Sequence, residues 1–469
     1  MNFIFSAVKK SLLFIFHSLT GKQKDFTTGS INKAILMLSL PVIIEMFGEG
    51  LFALIDMIFV SKVSVNAIST VTITESMMFI VFSVAMGISM ATSAIVARRV
   101  GEKDFTMASH TTRQAIYLAL GVGILVGVFG SIYAPDLLRL MGATPEVIAE
   151  GVGYTRIMFA SNAIIMLLFI INGAFRGAGN SSIAMWVLLL ANGLNIVLDP
   201  ILIFGLGPIP AFGVQGAAMA TTLGRSTAVL VQLIVLFRGN SHLKLFFKTL
   251  YADFKIIKEI LKISLGGMGQ FLIESVSWLV LMGILAREGN AQVAGFGIGF
   301  RIIAFSLLPS WGLAQAAAAL VGQNLGAEKP DRAQESVVRT AFFNVVFLLF
   351  VSVAFFLASE PIISRFFTDD PQVVEYAALT LKVVCLGYVF FAVGMVMSQA
   401  FNGAGDTLTP TWINVFCFII VQLPLAYVLT VSFSMGILGV LICISVCHSL
   451  QAIICSIVFK QGKWKLTKV

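Results

Sequence analysis

Three acids sit within one otherwise apolar stretch: Glu45, Glu49 and Asp56. At 100° per residue, Glu49 lies about 40° from Glu45 and Asp56 about 20° from it, so a helix would carry all three on one face. Pro41 falls about 40° the other way, on the same face, where it frees a backbone carbonyl and permits a hinge. An acidic row above a bend is what a proton- or sodium-gated helix needs. In a second apolar stretch Asn195 and Asp199 are four apart and stack on one face. A carboxylate beside an amide carbonyl offers hard oxygens to sodium, or a place for a proton. Asn172, just before Gly173, is placed to join them. Glu274 lies between Phe271 and Trp278; its charge and the two rings would cradle a lipophilic cation. Plainer uses remain open: a polar lining for Glu45 and Glu49, and hydrogen bonds between packed helices for the others.

The elements that must position these residues follow from composition. Of 469 residues 58% are hydrophobic and 12% charged, against about 25% charged in a soluble domain. Twelve runs of spanning length occur, over 34–60, 72–97, 113–134, 153–174, 183–204, 213–237, 262–285, 292–320, 340–358, 375–401, 411–431 and 435–459. Long uninterrupted runs predict helices, because barrel strands would alternate over short segments. The expected fold is an all-α integral membrane protein of twelve transmembrane helices. Ionisable groups at membrane depth are costly, which gives the acids above functional weight.

The net charge of +8 raises nucleic acid as a partner, but the distribution of charge argues against it. With the N-terminus inside, 23 of the 31 Lys and Arg residues fall on cytoplasmic segments, Arg176 among them. That asymmetry orients the chain in a plasma (inner) membrane with both termini cytoplasmic. Arg225 falls within the sixth run, and Arg301 early in the eighth, where it would snorkel outward or pair with an acid. Residues 1–24 read as an interfacial amphipathic segment and not as a cleaved signal. The five cysteines lie in or beside apolar runs and read as small buried residues.

The halves resemble each other. At an offset of 225, Leu38-Ser39-Leu40 falls on Ile263-Ser264-Leu265, Glu49 on Glu274 and Gly87 on Gly312. At 226, Arg176-Gly177-Ala178-Gly179 falls on Asn402-Gly403-Ala404-Gly405, and Trp186 on Trp412. Each repeat holds six runs, an even number, which predicts parallel repeats about an axis normal to the membrane. The expected organisation is an N-terminal segment 1–33, an N-lobe 34–237, a basic amphipathic connector 238–261, a C-lobe 262–459 and a tail 460–469. The second half loses acids: Asp56 maps to Leu281 and Asp199 to about Leu423.

These residues resemble the multidrug and toxic compound extrusion (MATE) family over roughly 30–460. The likeness rests on Leu40-Pro41 with Ile55-Asp56-Met57-Ile58-Phe59-Val60, Val100-Gly101-Glu102-Lys103-Asp104, Arg176-Gly177-Ala178-Gly179, the stretch Asn192 to Gly205, and Phe401-Asn402-Gly403-Ala404-Gly405-Asp406-Thr407. It implies a two-lobe antiporter working by alternating access. Such a protein exports cationic drugs in exchange for sodium or protons, as a monomer among membrane lipids, without a cofactor. In DinF-like members the ion couples through an N-lobe network matching Pro41, Asp56, Asn172, Asn195 and Asp199. Asp56, Asn195 and Asp199 would be the sodium ligands. In NorM-like members an acid matching Glu274 contributes, but the acid expected on the tenth helix falls near Phe390. Glu45 has no counterpart in the family pattern.

A lipid-linked oligosaccharide flippase of the same superfamily is the alternative. Its pyrophosphate would want Arg or Lys in the cavity, whereas the charges at membrane depth here are mostly acids. A membrane enzyme is disfavoured by the scattered histidines and the lack of a nucleophile pair or phosphate loop. A pore would leave the repeated lobes and the hinge proline without a purpose.

Overall fold

Helix starts are set by short polar side chains that satisfy free N–H groups. A computed structural model describes residues 18–19, 25–239, 242–245 and 251–469. The first half contains α1 Ile31–Ser61, α2 Val65–Gly101, α3 Phe105–Ile132, the short α4 Ala134–Leu140, α5 Pro145–Ala160, α6 Asn162–Gly177, α7 Ser181–Phe204 and α8 Val214–Arg238. The second half contains α9 Phe254–Leu285, α10 Asn290–Gly326, α11 Pro330–Phe366, α12 Pro371–Leu386, α13 Tyr388–Gly403, α14 Leu408–Ser432 and α15 Ile437–Lys460. The Ala67 N–H donates to Ser64 Oγ at 2.9 Å, the Met107 N–H to Asp104 Oδ1 at 2.9 Å, and the Gln372 N–H to Asp370 Oδ1 at 2.9 Å.

Nine of these helices are long and apolar enough to cross a membrane singly, and the bent pairs α5–α6 and α12–α13 supply two more spans. With α1, whose 31 residues reach about 46 Å, the protein has twelve membrane-spanning helices. It is an all-α, multi-pass membrane protein. The expected runs 153–174 and 375–401 are not single helices, since the chain bends by 43° at Ser161 and by 59° at Gly387. Glycines on α3 admit the first bend: a Cβ on Gly123 would lie 2.6 Å from Ala163 Cα, and one on Gly127 2.9 Å from the Phe159 carbonyl. In α14 the turns widen on both sides of Pro424, over Val415–Val421 and Val428–Ser432, because proline brings no N–H to the helical ladder.

The connector is shorter than expected, because Asp253 starts α9 eight residues early. Its Oδ1 accepts from the N–H of Lys255 and Ile256 at 3.0 and 3.4 Å. Lys255, Lys258 and Lys262 therefore lie on the helix. The ring of His110, 3.3 Å from Asp253 Oδ2, holds that carboxyl below the usual carboxylate range. The Phe246-Phe247-Lys248 part of the connector, and most of 1–24, lie outside the described residues.

Contacts group Ile44–Ser264 into a first unit, and Phe26–Ile43 with Leu265–Val469 into a second. Side chains on α11 account for the early part of α1 in the second unit. Lys329 Nζ donates to the Thr27 carbonyl, Arg332 Nη2 to the Thr28 carbonyl, and Arg339 Nη1 to Asn32 Oδ1, at 3.0, 3.0 and 3.1 Å. The boundary falls two residues past Pro41, and α1 continues through that proline as one helix.

The repeat is visible within each unit. Lys103 and Glu328, 225 apart, both take a left-handed backbone, with φ of 60° and 57°. Gly177 on α6 abuts Ser93 of α2, where a Cβ would stand 2.3 Å from the Ser93 carbonyl oxygen. Its counterpart Gly403 on α13 abuts Ala318 of α10, at 2.2 Å from that carbonyl. Gly177→Ala should lower the thermal unfolding midpoint of the solubilised protein, at a cost of about 1–3 kcal/mol from overpacking. Gly193→Ala, whose Cβ meets nothing within 4 Å, should leave the midpoint unchanged or raised, because alanine favours the helix. Equal midpoints for the two variants would show that the α2–α6 approach is not tight.

Candidate functional site

Within the first unit, α1 brings Asp56 and α7 brings Asn195 and Asp199 to one place. The carboxyl groups of Asp56 and Asp199 are neighbours within hydrogen-bonding reach. Two carboxylates bond only through a shared proton. Asp56 Oδ1 and both Asp199 oxygens are buried with no well-formed hydrogen bond, as is Asn195 Oδ1. One N–H of the Asn195 amide donates to Thr221 Oγ1 of α8 at 3.0 Å, and its side chain is also within hydrogen-bonding reach of Asp199. Four buried oxygens without a well-formed hydrogen bond suit a proton or a sodium ion, whose preferred ligands are hard oxygens. The three residues expected to hold a cation are the ones gathered here.

Asn172 does not join this group directly. It accepts from Gln232 Nε2 on α8 at 2.7 Å. Glu49 accepts from Asn192 Nδ2 at 3.4 Å and lies within electrostatic reach of Arg225. Sequence reasoning missed three residues. Thr221 orients Asn195. Tyr154, buried in the apolar cluster of Val60, Val71 and Ile203, stands beside Asp56. Glu75 on α2 is within electrostatic reach of both Asp56 and Arg225. The signal for Glu75 was present, because it is an acid inside an apolar span. Thr221 carries no such mark.

Glu45 is only 1% exposed, and its carboxylate accepts from Arg176 Nη1 at 2.8 Å. Arg176 is therefore a structural partner as well as a charge at the span end. The repeat explains this bond. Glu45 and Arg176 map onto Gln270 and Asn402, which bond each other at 3.0 and 3.1 Å. One duplicated contact is ionic in the first unit and an amide pair in the second.

In the second unit, Phe271 and Trp278 lie one turn to either side of Glu274 on α9, on its face of the helix. The Trp278 ring is 3.8 Å from that of Phe300 and 5.1 Å from that of Phe296, and Phe271 is 6.2 Å from Trp311. Glu274 is exposed, and it makes no hydrogen bond or ion pair among the described residues. Arg301 is also exposed, with no acid beside it among them. The interior of this unit is polar but neutral: Ser277 donates to Gln422 at 3.1 Å and Gln451 to Asn414 at 2.7 Å. Among the described residues, no acid or base of the second unit is buried. The five cysteines are all buried and free.

The MatE family signature matches residues 41–201 and again 268–428, once in each repeat. The chain belongs to the MatE family. It is similar to the probable multidrug resistance protein NorM of Thermotoga maritima, at 26% identity over 435 residues, 93% of each chain. It is also similar to the FAD transporter of Shewanella oneidensis, at 27% identity over 91% of this chain and 93% of that one. Among solved structures, a MOP superfamily transporter from Pyrococcus furiosus matches with a TM-score of 0.88. Identity is 26%, over 95% of this chain and 99% of that one, and its reversed binding-pocket polarity was taken to suggest a different function. The protein is thus a MatE transporter, and Asp56, Asn172, Asn195, Asp199 and Glu274 all lie inside the matched stretches, whereas Thr221 and Arg225 lie outside them.

The ionic contact gives a direct test of how this MatE transporter uses its repeat. Glu45→Gln should destabilise the protein by about 3 kcal/mol, because it strands Arg176 in a buried place. Adding Arg176→Asn recreates the Gln–Asn pair of the second unit and should recover most of the loss in thermal midpoint. A double variant no more stable than Glu45→Gln would show that the two contacts are not equivalent.

Proposed function

We propose that the protein is a secondary active antiporter. It exports lipophilic cations in exchange for protons or sodium ions, which bind at Asp56, Asn195 and Asp199. The observation that carries this reading is that, among the described residues, the buried acids belong to the first unit, with four buried oxygens of Asp56, Asn195 and Asp199 that make no well-formed hydrogen bond. A fixed structural role would have satisfied those oxygens, as Arg176 satisfies Glu45. Binding and release of a small cation explains why they stay open. The N-lobe location agrees with the DinF-like pattern, and the hinge at Pro41 would let α1 change its course where the two units meet along the chain.

Glu274, with Phe271 and Trp278, is read as the cradle for the exported cation, and Glu49 as part of the polar lining. The drug-resistance name of the Thermotoga relative supports xenobiotic export. A lipid-linked oligosaccharide flippase is the second reading; the acids Glu49, Glu75 and Glu274 disfavour its anionic substrate. The charge asymmetry supports an inner-membrane protein with both termini and the connector cytoplasmic, and the family resemblance implies a monomer among lipids.

Purified protein in vesicles, given a sodium gradient and then a pH gradient separately, tests this. Efflux of a cationic dye should follow one of the two, and a lipid-linked sugar should not move. Asp199→Asn and Asp56→Asn should each abolish ion-driven efflux while leaving the protein folded and inserted. Wild-type pumping by either variant would remove that residue from the coupling site, and sugar movement without dye efflux would favour the flippase.

A further inference from the structure

The second unit carries an open groove that no part of the transport reading uses. It lies between α13 and α15 and holds about 310 Å³, walled by Phe390 and Val393 of α13 and by Ile453, Ser456, Ile457 and Lys460 of α15. Small residues make its floor. A Cβ on Gly394 would stand 3.3 Å from the Ala452 Cβ, so the two helices touch there and the larger side chains on either side stand out as walls. Phe390, Ile453 and Ile457 are exposed. Ser456 Oγ donates to the Ala452 carbonyl at 2.7 Å, which turns the one hydroxyl of the wall back onto its own helix. The groove is thus apolar along its length until Lys460.

Its length and its end give it a direction. Gly387 abuts Ser445 and Gly394 abuts Ala452, so α13 and α15 run side by side the same way. Phe390 then stands about level with His448, whose ring stacks on that of Phe391 at 4.5 Å. From there to Lys460 is about twelve residues, or about 18 Å of helix. One leaflet of the hydrocarbon core is about 15 Å deep. The groove therefore runs from the middle of the membrane to one surface, and that end is basic. Lys460 closes α15, and Lys463 follows at the start of a tight turn over Lys463–Leu466. Both are exposed and make no hydrogen bond or ion pair among the described residues. The turn is pinned by Trp464, which is 1% exposed, stacks on Phe459 at 4.7 Å and donates to the Phe459 carbonyl at 3.0 Å. Lys465 pairs with Asp331 at 3.3 Å, so two uncommitted lysines are left at the mouth.

We propose that the groove between α13 and α15 is a phospholipid site that takes one acyl chain along its length and selects an anionic headgroup through Lys460 and Lys463. An acyl chain is the occupant that suits an apolar groove one leaflet deep. Lysines at a helix end extend to the headgroup level, and each one near the surface attracts anionic lipid. A zwitterionic lipid carries its own cation beside the phosphate and gains little from them. The site is independent of Asp56, Asn195 and Asp199.

The test is native mass spectrometry of the full-length protein in detergent, titrated with phosphatidylglycerol or phosphatidylcholine of matched chains. The groove's share of binding is the part lost in Ser456→Phe, which sets a ring into the groove and leaves both lysines in place. That share should favour phosphatidylglycerol by about tenfold or more. Lys460→Gln and Lys463→Gln should each weaken it about fivefold and leave phosphatidylcholine binding as in the parent. Lys460→Arg, which keeps the charge, should bind as the parent does. Glycerol phosphate, a headgroup without chains, should not displace the lipid. No loss in Ser456→Phe would show that the groove holds no lipid and overturn the inference. A share that treats the two lipids alike, or whose preference survives loss of both lysines, would overturn it too. Displacement by glycerol phosphate would mark the lysines as a surface phosphate patch and sink it equally.

Discussion

Two carboxyl groups side by side in a membrane interior form an arrangement that cannot satisfy itself. Asp56 and Asp199 come from different helices and both are buried. Three of their four oxygens make no well-formed hydrogen bond, and a proton or metal cation is the partner that two like charges can share. The rest of the first unit can be understood as support for that vacancy in charge. Thr221 accepts from the nitrogen of Asn195, whose oxygen makes no hydrogen bond. Tyr154 closes the apolar side. Glu45, nearer the start of α1, is satisfied separately by Arg176 and so takes no share of the cation.

The second unit shows what the same architecture does without that demand. Its helices repeat the turn geometry of Lys103 at Glu328 and the close approach of Gly177 at Gly403. Yet the ionic pair of the first unit has become Gln270–Asn402, and the position of Asp56 is Leu281, buried in an apolar cluster. Backbone approach and helix packing are therefore common property of the two repeats, whereas charge is specific to one. Glu274, within the apolar stretch of α9, is exposed beside aromatic rings. On the proposed reading, ion chemistry falls to one repeat and substrate chemistry to the other.

Much of this was legible from residue types alone. Spanning length and the even number of spans follow from apolar runs, and helical periodicity places Glu45, Glu49 and Asp56 together. The meeting of Asp56 with Asp199 needs two distant helices to pack, and no spacing rule states that. The bends at Ser161 and Gly387 were hidden because a break of one residue does not interrupt an apolar run. The early start of α9 was readable in principle from Asp253 as a cap, but the lysines after it read as part of a basic amphipathic connector. Arg176 was read as a topology charge and a motif residue and not as a partner of Glu45, which lies 131 residues away.

The central claim is that the exported cation and the coupling cation compete for one protein. Calorimetric binding of a cationic dye to the purified protein measures this directly. It should be run in two buffers of different protonation heat, and at low and high sodium. The account predicts either release of about one proton per dye bound, read from the heat difference between buffers, or weaker dye binding as sodium rises. Dye binding with no proton release and no dependence on sodium would contradict it.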